Sequence, residues 1–334
     1  MKHQLDWDPD SDSAQRAARV VALRILDAVA DAHDSIRKKD PESIHDFRIA
    51  LRRLRSWLRT YRTSLDDTIR RRVLRSLRRI SRATTELRDL DVQLAWLRSE
   101  TSALGEGRLE AAKWVIASIK ADRKVVWRKL ERALDRKYAS AERDLRRQLT
   151  HYVERHKVNS TKPPVSMRRI TARALEAQAT ALSEALARIR SADDAGRLHR
   201  ARIAAKRTRY VLDAIHPELS VEPAVVDDLA RFQDSVGELR DAQLLAHRVA
   251  REVTAVAAER TAIVASELVY HPRGAMDFSR IVDESPFDAS LALLFARLHD
   301  RIAAASRGVT AVIARTSAQD WRWLLTHEGT PTKK

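Results

Sequence analysis

"IHDFRIALRRLRSWLRTYR", residues 44–62, carries six arginines in a segment whose apolar residues recur every three or four positions. That spacing is typical of an α-helix with one buried face, because about 3.6 residues complete a turn. The segment therefore predicts a helix that packs against a helical core and carries positive charge on the rest of its surface. The residues predicted to be buried are Ile44, Phe47, Leu51, Leu54, Leu58 and Tyr61.

A row of cationic side chains follows the same helix about 100° away from the apolar face, over a length of about 21 Å. We call it the first cationic row: His45, Arg48, Arg52, Arg55 and Arg59. Like charges at these spacings repel by about 0.2–0.5 kcal/mol per pair. The row lowers helix stability, and we expect a bound polyanion or a facing acidic helix to offset this. The next predicted helix carries a flanking row: Arg71, Arg75, Arg78 and Arg82.

The cationic pattern occurs twice in the chain. Residues 198–212, "LHRARIAAKRTRYVL", superpose without a gap on residues 44–58, and "ELRD" follows at 86–89 and again at 238–241. Two matches in the same order predict an internal duplication that serves one shared task. Asp213 replaces Arg59 in the second copy, so we expect the positive charge to be stronger in the first half. The second cationic row comprises His199, Arg202, Lys206 and Arg209.

Only seven glycines and nine prolines interrupt stretches rich in Ala, Leu, Arg and Glu. We predict an all-α protein with two four-helix bundles of long helices, related by a pseudo-twofold axis around a central basic groove. Pro163 and Pro164 separate the halves, because helices usually end before a proline. The predicted segments are an N-terminal segment 1–12, a first bundle 13–157, a linker 158–166, a second bundle 167–315 and a C-terminal segment 316–334.

The charge balance restricts the class of partner. Lys+Arg number 63 against 46 Asp+Glu, for a net charge of +17 at pH 7, which favours an anionic partner. The sequence has no cysteine, and this excludes disulfides, thiolate zinc sites and thiol nucleophiles. We find neither a signal peptide nor a run of about 18 apolar residues. We therefore expect a cytoplasmic protein without a membrane span.

Catalysis is one alternative function. Glu42 and His45 have the E-x-x-H spacing of di-iron bundles, but Gly196 occupies the position of Glu42 in the second copy. There is no Walker loop, nucleophile elbow or paired metal motif, so we expect no enzymatic activity, no metal and no cofactor. Three aspartate pairs fall at predicted helix starts, where carboxylates interact favourably with the helix dipole. They are Asp66–Asp67, Asp193–Asp194 and Asp227–Asp228.

Nucleic-acid binding is the second alternative, because any basic groove attracts phosphates with salt-dependent affinity. Proteins that bind single strands without sequence preference usually add aromatic platforms for the bases. Neither cationic row contains an aromatic residue, and Trp57, which lies off the first row, is Val211 in the second copy. A polyanion without bases is therefore favoured, while nonspecific nucleic-acid binding stays open. An acidic protein, an anionic membrane surface and a homodimer through the helix predicted around 105–156 also stay open.

The duplicated pattern, H-x-x-R-I-x-x-[RK]-R-x-R followed by L-R-D on the next helix, resembles the CHAD family, the conserved histidine α-helical domain. "HDFRIALRRLR" and "HRARIAAKRTRY" are similar to its two signature segments. The resemblance covers roughly residues 13–315 and implies two pseudo-symmetric four-helix bundles around a basic cavity that binds inorganic polyphosphate. Family members can localise to polyphosphate granules. Relatives often carry a CYTH triphosphatase domain, for which this chain has no length left, so we expect a stand-alone binding module.

The resemblance also implies which residues contact the ligand. They are His45, Arg48, Arg52 and Arg55 in the first segment and His199, Arg202, Lys206 and Arg209 in the second. From their spacing alone we add Arg59, Arg75, Arg78 and Arg82. Supporting roles are expected for the neighbouring residues Arg53, Arg207, Arg88, Asp89, Arg240 and Asp241. We expect the two aspartates to orient arginines rather than to bind a metal. Storage, scaffolding and regulation are all compatible with such binding.

Overall fold

In the computed structural model, the described part of the chain is almost entirely α-helical, which confirms the predicted all-α class. It comprises residues 13–36, 41–65, 68–103, 110–151, 165–192, 194–215, 223–270 and 286–318. Within these ranges the only extended feature is an isolated bridge between Ser13 and Ser166. A π-helical turn spans Leu134–Tyr138, directly between the fourth and the fifth helix. The helices are α1 (Ala14–Ile36), α2 (Pro41–Thr60), α3 (Arg71–Ala103), α4 (Glu110–Ala133), α5 (Ala139–Thr150), α6 (Met167–Ala187), α7 (Ala195–Ile215), α8 (Pro223–Tyr270) and α9 (Pro286–Ala318).

The helices form two compact units, and each unit contains segments from both halves of the sequence. Unit 1 consists of Met1–Arg88, Val126–Val236 and Thr310–Lys334, and unit 2 consists of Asp89–Val125 and Gly237–Val309. The predicted bundle boundaries and the pseudo-twofold axis refer to the sequence halves rather than to these units, and they stay predictions.

Several positions named in the sequence predictions lie outside the described residues. They are residues 1–12, 152–164 and 319–334, together with Asp66, Asp67 and Asp193. The range 152–164 includes most of the predicted linker. Helix α6 begins at Met167, the residue at which the second half was predicted to start. Its N-cap is Ser166, whose side chain accepts a hydrogen bond from the backbone N–H of Arg169.

The apolar face of α2 is buried, as the sequence predicts. The five predicted residues within α2, and Tyr61 directly after its last residue, are each at most 4% exposed. Trp57 is also buried, and its Nε1 donates to the carbonyl oxygen of Ala18 in α1 at 2.8 Å. Burying a large apolar side chain contributes about 1.5–3 kcal/mol to stability. Because α2 packs against both α1 and α7, its rotation about its own axis is fixed, and so is the direction of the first cationic row.

A buried arginine from α1 fixes the turn that follows α2. Arg19 is 2% exposed and donates to the carbonyl oxygens of Ser64 and Leu65, each at 3.1 Å. Backbone carbonyls near a helix end lack intrahelical partners, and the guanidinium group satisfies two in this region. The hydroxyl of Tyr61 lies 2.9 Å from Oγ1 of Thr171 in α6. Burial raises the pKa of Tyr61, so the hydroxyl keeps its proton.

Aspartate caps the start of α7, in agreement with the helix-start interpretation of the aspartate pairs. Oδ1 of Asp194 accepts a hydrogen bond from the backbone N–H of Arg197 at 3.1 Å. Asp227 and Asp228 lie near the start of α8, and Oδ1 of Asp228 is 2.6 Å from Nη2 of Arg231. The carboxylates of Asp194 and Asp228 therefore have partners from their own helices.

Helix α4, the π-helical turn and α5 follow one another as one long helix. The same face of this helix is buried before and after residues 134–138. A π turn contains more residues than an α turn and so shifts the register of the side chains that follow. The ring of Tyr138 stacks on His33 with centroids 4.3 Å apart and meets Phe47 edge-on at 5.5 Å. These contacts lie within unit 1. The buried positions along this helix are Val126, Leu130, Leu134, Tyr138, Ala141, Leu145 and Leu149.

Unit 2 contains a buried arginine that acidic side chains hold in place. Nη2 of Arg248 in α8 lies 2.6 Å from Oδ2 of Asp122 and 3.3 Å from Oε1 of Glu252. The same nitrogen donates to Oγ of Ser118 at 3.1 Å, and that hydroxyl in turn donates to Glu252 at 2.8 Å. The Arg248 side chain is only 7% exposed, so its charge is compensated inside the fold.

Candidate functional site

Helices α2 and α7 pack against each other in unit 1 and bring the two cationic rows together. Arginines from both rows lie close enough to the amine of Lys206 to affect its pKa. Burial lowers the pKa of Lys206 to about 6, and the positive charges of four arginines act in the same direction. We call these five residues the Lys206 cluster: Lys206, Arg202 and Arg209 from α7, and Arg52 and Arg48 from α2. At neutral pH the amine is therefore largely uncharged in the absence of a bound anion.

Arg55 extends the positive charge from α2 to α3. Its Nη1 donates to the hydroxyl of Ser81 at 2.7 Å, which holds the guanidinium group against α3. Burial lowers the pKa of Arg55 to about 10, and four further arginines contribute. Two of them, Arg78 and Arg82, belong to the flanking row that was predicted from spacing alone. The flanking row therefore lies close enough to interact with the first cationic row.

Arg59, in the last turn of α2, lies within electrostatic reach of α7. Burial lowers the pKa of Arg59, as do the charges of Arg207 in α7 and Arg78 in α3. Three helices of unit 1 thus bring cations within electrostatic reach of one another. Arg75 is an exposed residue of the flanking row, and no described interaction links it to the cluster.

The two histidines that open the rows have different surroundings. Nδ1 of His45 lies 3.4 Å from Nη2 of Arg48, at the long end of hydrogen-bonding distance. Since a guanidinium group can only donate, this contact favours the neutral histidine with its proton on Nε2. Burial lowers the pKa of His45, and the charges of Arg48 and Arg88 lower it further. His199, its counterpart in the second row, is exposed.

Comparison with known proteins identifies the family. The model of the CHAD domain matches residues 21–250, which is more than half of the chain. The protein belongs to the CHAD family. The crystal structure of the CHAD domain from the plant Ricinus communis is similar in fold, with a TM-score of 0.63 at 20% identity over 95% of both chains. PptA from Streptomyces chartreusis has a TM-score of 0.59 at 15% identity, covering 90% of this chain and 99% of that chain. No curated protein matches the chain significantly.

The family assignment confirms the resemblance drawn from the two cationic segments, and the two structural similarities show that the chain shares the all-helical fold of CHAD domains. At 15–20% identity they carry no information about individual ligand contacts. In this CHAD protein the two segments form α2 and α7. Both helices place arginines near Lys206, and this observation comes from the structure of this chain itself.

Three contacts of the candidate site were not anticipated from the sequence. Ser81 accepts a hydrogen bond from Arg55, although its buried position on α3 is that of an ordinary small core residue. The carbonyl oxygen of Gln233 in α8 accepts from Nε of Arg202 at 3.1 Å. No sequence signal could reveal that contact, because every residue has a backbone carbonyl. Tyr210 packs against Arg209, whose guanidinium carbon is 5.8 Å from the ring centroid.

The predicted supporting residues occupy both units. Arg53 and Arg207 are exposed on α2 and α7, and Arg88 acts electrostatically on His45 in unit 1. The remaining three, Asp89, Arg240 and Asp241, belong to unit 2. There, Asp241 acts electrostatically on Arg301, whose guanidinium carbon lies 5.0 Å from the ring centroid of Trp96.

The chemistry of this arrangement favours the capture of an anion. Guanidinium groups offer planar pairs of donors that match phosphate oxygens, and they keep their charge when partly desolvated. Cations gathered on adjacent helices attract a polyanion more strongly than the same charges spread over the surface. Among the described residues, no group of His, Asp and Glu side chains has the arrangement of a metal site. In the same part of the chain, no helix combines the length and the apolar character needed to cross a bilayer.

Proposed function

We propose that this CHAD protein binds inorganic polyphosphate on the basic surface formed by α2, α3 and α7, without catalysing a reaction. The convergence of two cationic rows on Lys206 carries the proposal. Bringing these charges together lowers the stability of the free protein, and a bound polyanion would reverse that penalty. We place the predicted central basic groove here.

Polyphosphate suits this surface better than a nucleic acid does. A polymer of phosphates presents only charge and acceptor oxygens, and arginine and lysine side chains bind both. The residues of the Lys206 cluster supply no aromatic platform for stacking bases. The ring of Tyr210, the next residue along α7, lies against the guanidinium group of Arg209. Nonspecific nucleic-acid binding is therefore the competing outcome that the experiment has to measure.

The cellular part of the proposal follows from binding without cleavage. A protein that holds polyphosphate and releases no phosphate would collect wherever the polymer is stored. We therefore expect it at polyphosphate granules. The proposal includes the predicted pseudo-twofold duplication, because each copy supplies one of the two rows.

The first experiment is a titration of the purified protein with long-chain polyphosphate, single-stranded RNA and duplex DNA. All three are compared at matched phosphate concentration and near-physiological salt, because such affinities depend steeply on salt. We expect polyphosphate to bind at least about tenfold more tightly than either nucleic acid, which is about 1.4 kcal/mol. Free phosphate is measured in the same samples, and none should be released. Comparable affinity for all three polymers would reduce the protein to a general polyanion binder.

A matched pair of double variants locates the site. Arg48→Ala with Arg202→Ala removes one arginine from each row and should weaken polyphosphate binding at least about tenfold. Lys120→Ala with Lys124→Ala removes the same charge from exposed positions of α4 and should change affinity much less. Circular dichroism checks that both variants stay helical. Equal loss of affinity in the two would mean that net charge, rather than this surface, binds the polymer.

A further inference from the structure

A cavity of about 300 Å³ lies in unit 1, beside the turn that follows α2. Ligand sites commonly combine an apolar lining with a few polar groups that fix the orientation of the ligand. This cavity has both. Buried apolar side chains form its floor: Leu58, Leu65 and Ile69. Exposed arginines form its rim: Arg62, Arg70 and Arg71.

Hydrogen bonds to the backbone hold the walls of this cavity in place. The carbonyl oxygen of Leu65 accepts from the guanidinium group of Arg19 at 3.1 Å and from the hydroxyl of Thr68 at 2.7 Å. Oε1 of Gln148 in α5 accepts from the backbone N–H of Arg70 at 2.7 Å. The cavity is therefore largely formed before a ligand arrives, and little ordering of the chain has to accompany binding.

The charge around the cavity is of one sign. The described residues that line it include no carboxylate, and in the described part of the chain neither Arg70 nor Arg71 forms an ion pair. Arg72, the next residue, differs from both because its Nη2 lies 2.7 Å from Oδ2 of Asp144. Guanidinium groups offer planar pairs of donors that suit phosphate oxygens. The rim is therefore complementary to an anion, and the floor to an apolar group.

We infer that this cavity binds a small phosphate monoester whose organic group is apolar. The arginines of the rim hold the phosphate dianion, and the floor covers the organic group. The volume of the cavity equals that of about ten water molecules in the liquid. It suits a ligand of about ten non-hydrogen atoms, and hexyl phosphate has this size and both chemical features.

The cavity differs in chemistry from the surface proposed for polyphosphate, although Arg71 belongs to the flanking row and also lines the cavity. Polyphosphate has no apolar group, so the floor contributes nothing to its binding. A phosphate monoester with an apolar group uses the floor and the rim together. The inference therefore does not rest on the proposed function, and the two can fail separately.

The experiment is a calorimetric titration of the full-length protein with hexyl phosphate at near-physiological salt. Inorganic phosphate, which lacks the apolar group, and 1-hexanol, which lacks the charge, are titrated in the same way. We expect hexyl phosphate to bind at least about tenfold more tightly than either, because burying two CH₂ groups is enough for such a difference. Equal affinity for hexyl phosphate and inorganic phosphate would overturn the inference, because the floor would then contribute nothing.

Matched variants locate the binding of hexyl phosphate. Arg71→Gln should weaken it at least about fivefold, because a charge-assisted hydrogen bond is lost. Arg79→Gln removes the same charge from an exposed position of the same helix and should change the affinity less than about twofold. Arg48→Ala with Arg202→Ala, which targets the surface proposed for polyphosphate, should also leave hexyl phosphate binding within about twofold. An equal loss in Arg71→Gln and Arg79→Gln would contradict the inference, as would a larger loss in the double variant than in Arg71→Gln.

Discussion

Arginines serve opposite purposes in two regions of this protein. In unit 1, α2 and α7 bring Arg48, Arg52, Arg202 and Arg209 around an amine, and all five side chains are cationic or able to become so. In unit 2, the buried Arg248 contacts the carboxylates of Asp122 and Glu252. Unit 2 neutralises its buried cation within the fold, whereas the Lys206 cluster concentrates charge of one sign.

Because of this difference, an arginine should contribute to fold stability in unit 2 and to anion binding in the Lys206 cluster. Removing one member of a buried ion pair leaves an uncompensated charge and destabilises the fold. Removing one member of a like-charge cluster relieves repulsion, so the fold should gain stability while anion affinity falls. The same kind of side chain is therefore expected to give opposite results in the two regions. The following experiments test that contrast, from the largest expected effect to the smallest.

Arg248→Met should lower the free energy of unfolding by about 2 kcal/mol, because Glu252 and Ser118 lose the cation they face. Asp122 is more than half exposed and will be partly compensated by water, so we expect less than a fully buried pair would lose. Urea unfolding followed by circular dichroism measures the change. Arg251→Met, at an exposed neighbouring position, is the control and should stay within about 0.5 kcal/mol. Polyphosphate affinity per folded molecule should be unaffected by either.

Lys206→Met should act in the opposite direction on stability while weakening polyphosphate binding about tenfold, which is about 1.4 kcal/mol. Methionine fills a similar volume and removes the cost of burying an amine, so the thermal midpoint should rise by about 2 °C or more. Scanning calorimetry and the polyphosphate titration measure the two effects. A variant that is less stable than the native protein would contradict the view that the clustered cations lower the stability of the ligand-free protein.

The stability gain of Lys206→Met should depend on pH with a defined sign. The pKa of Lys206 is about 6 in the folded protein and near 10.5 when unfolded, so between these values the unfolded chain binds more protons. The penalty from Lys206 is therefore full below about pH 6 and fades as the pH rises towards 10.5. The gain in the variant should shrink over the same interval. A constant gain across that range would mean that the amine is charged in the folded state.

Binding of polyphosphate should take up protons near pH 7.5. A polyanion next to Lys206 favours the ammonium form and raises the pKa that burial and the arginines lower. Affinity should consequently fall about fivefold between pH 6 and pH 8, since protonating the amine becomes harder. Titration calorimetry in buffers of different ionisation enthalpy measures the protons directly. Lys206→Met should lose most of the uptake, and His45→Gln, which removes a histidine whose pKa is also lowered, should lose less.

Ser81→Ala should have the smallest effect. Removing the hydroxyl frees the guanidinium group of Arg55, so we expect about twofold weaker polyphosphate binding and little change in stability. Ser76→Ala on the same helix is the control, and equilibrium titration is the measurement. An affinity loss as large as that of Lys206→Met would mean that α3, rather than the α2–α7 pair, dominates binding.

Much of this arrangement could be predicted from the sequence because it depends on helical periodicity. The spacing of apolar residues placed Phe47, Leu51 and Leu54 in the core, and all three are fully buried. The duplicated cationic segments indicated the family, and the family match confirms it. Periodicity fixes which side chains share a helix face, so these predictions needed no tertiary information.

The rest depends on packing that periodicity does not determine. The sequence makes His45 and His199 equivalent, yet one is partly buried beside Arg88 and the other is exposed. The meeting of the two rows at Lys206 depends on how α2 crosses α7, and a pattern of residues along one helix carries no such information. The contact between Ser81 and Arg55 was missed for the same reason.

The π-helical turn at Leu134–Tyr138 has a consequence for how this sequence can change in length during evolution. Loss of one residue within the turn would convert it to an ordinary α turn and leave the buried sides of α4 and α5 aligned. Loss of one residue elsewhere in the same helix, for example at Arg128 or Arg143, would rotate every following side chain by about 100°. Leu145 and Leu149 would then leave the core of unit 1. Among relatives of different length, an alignment gap in this helix is therefore expected at residues 134–138.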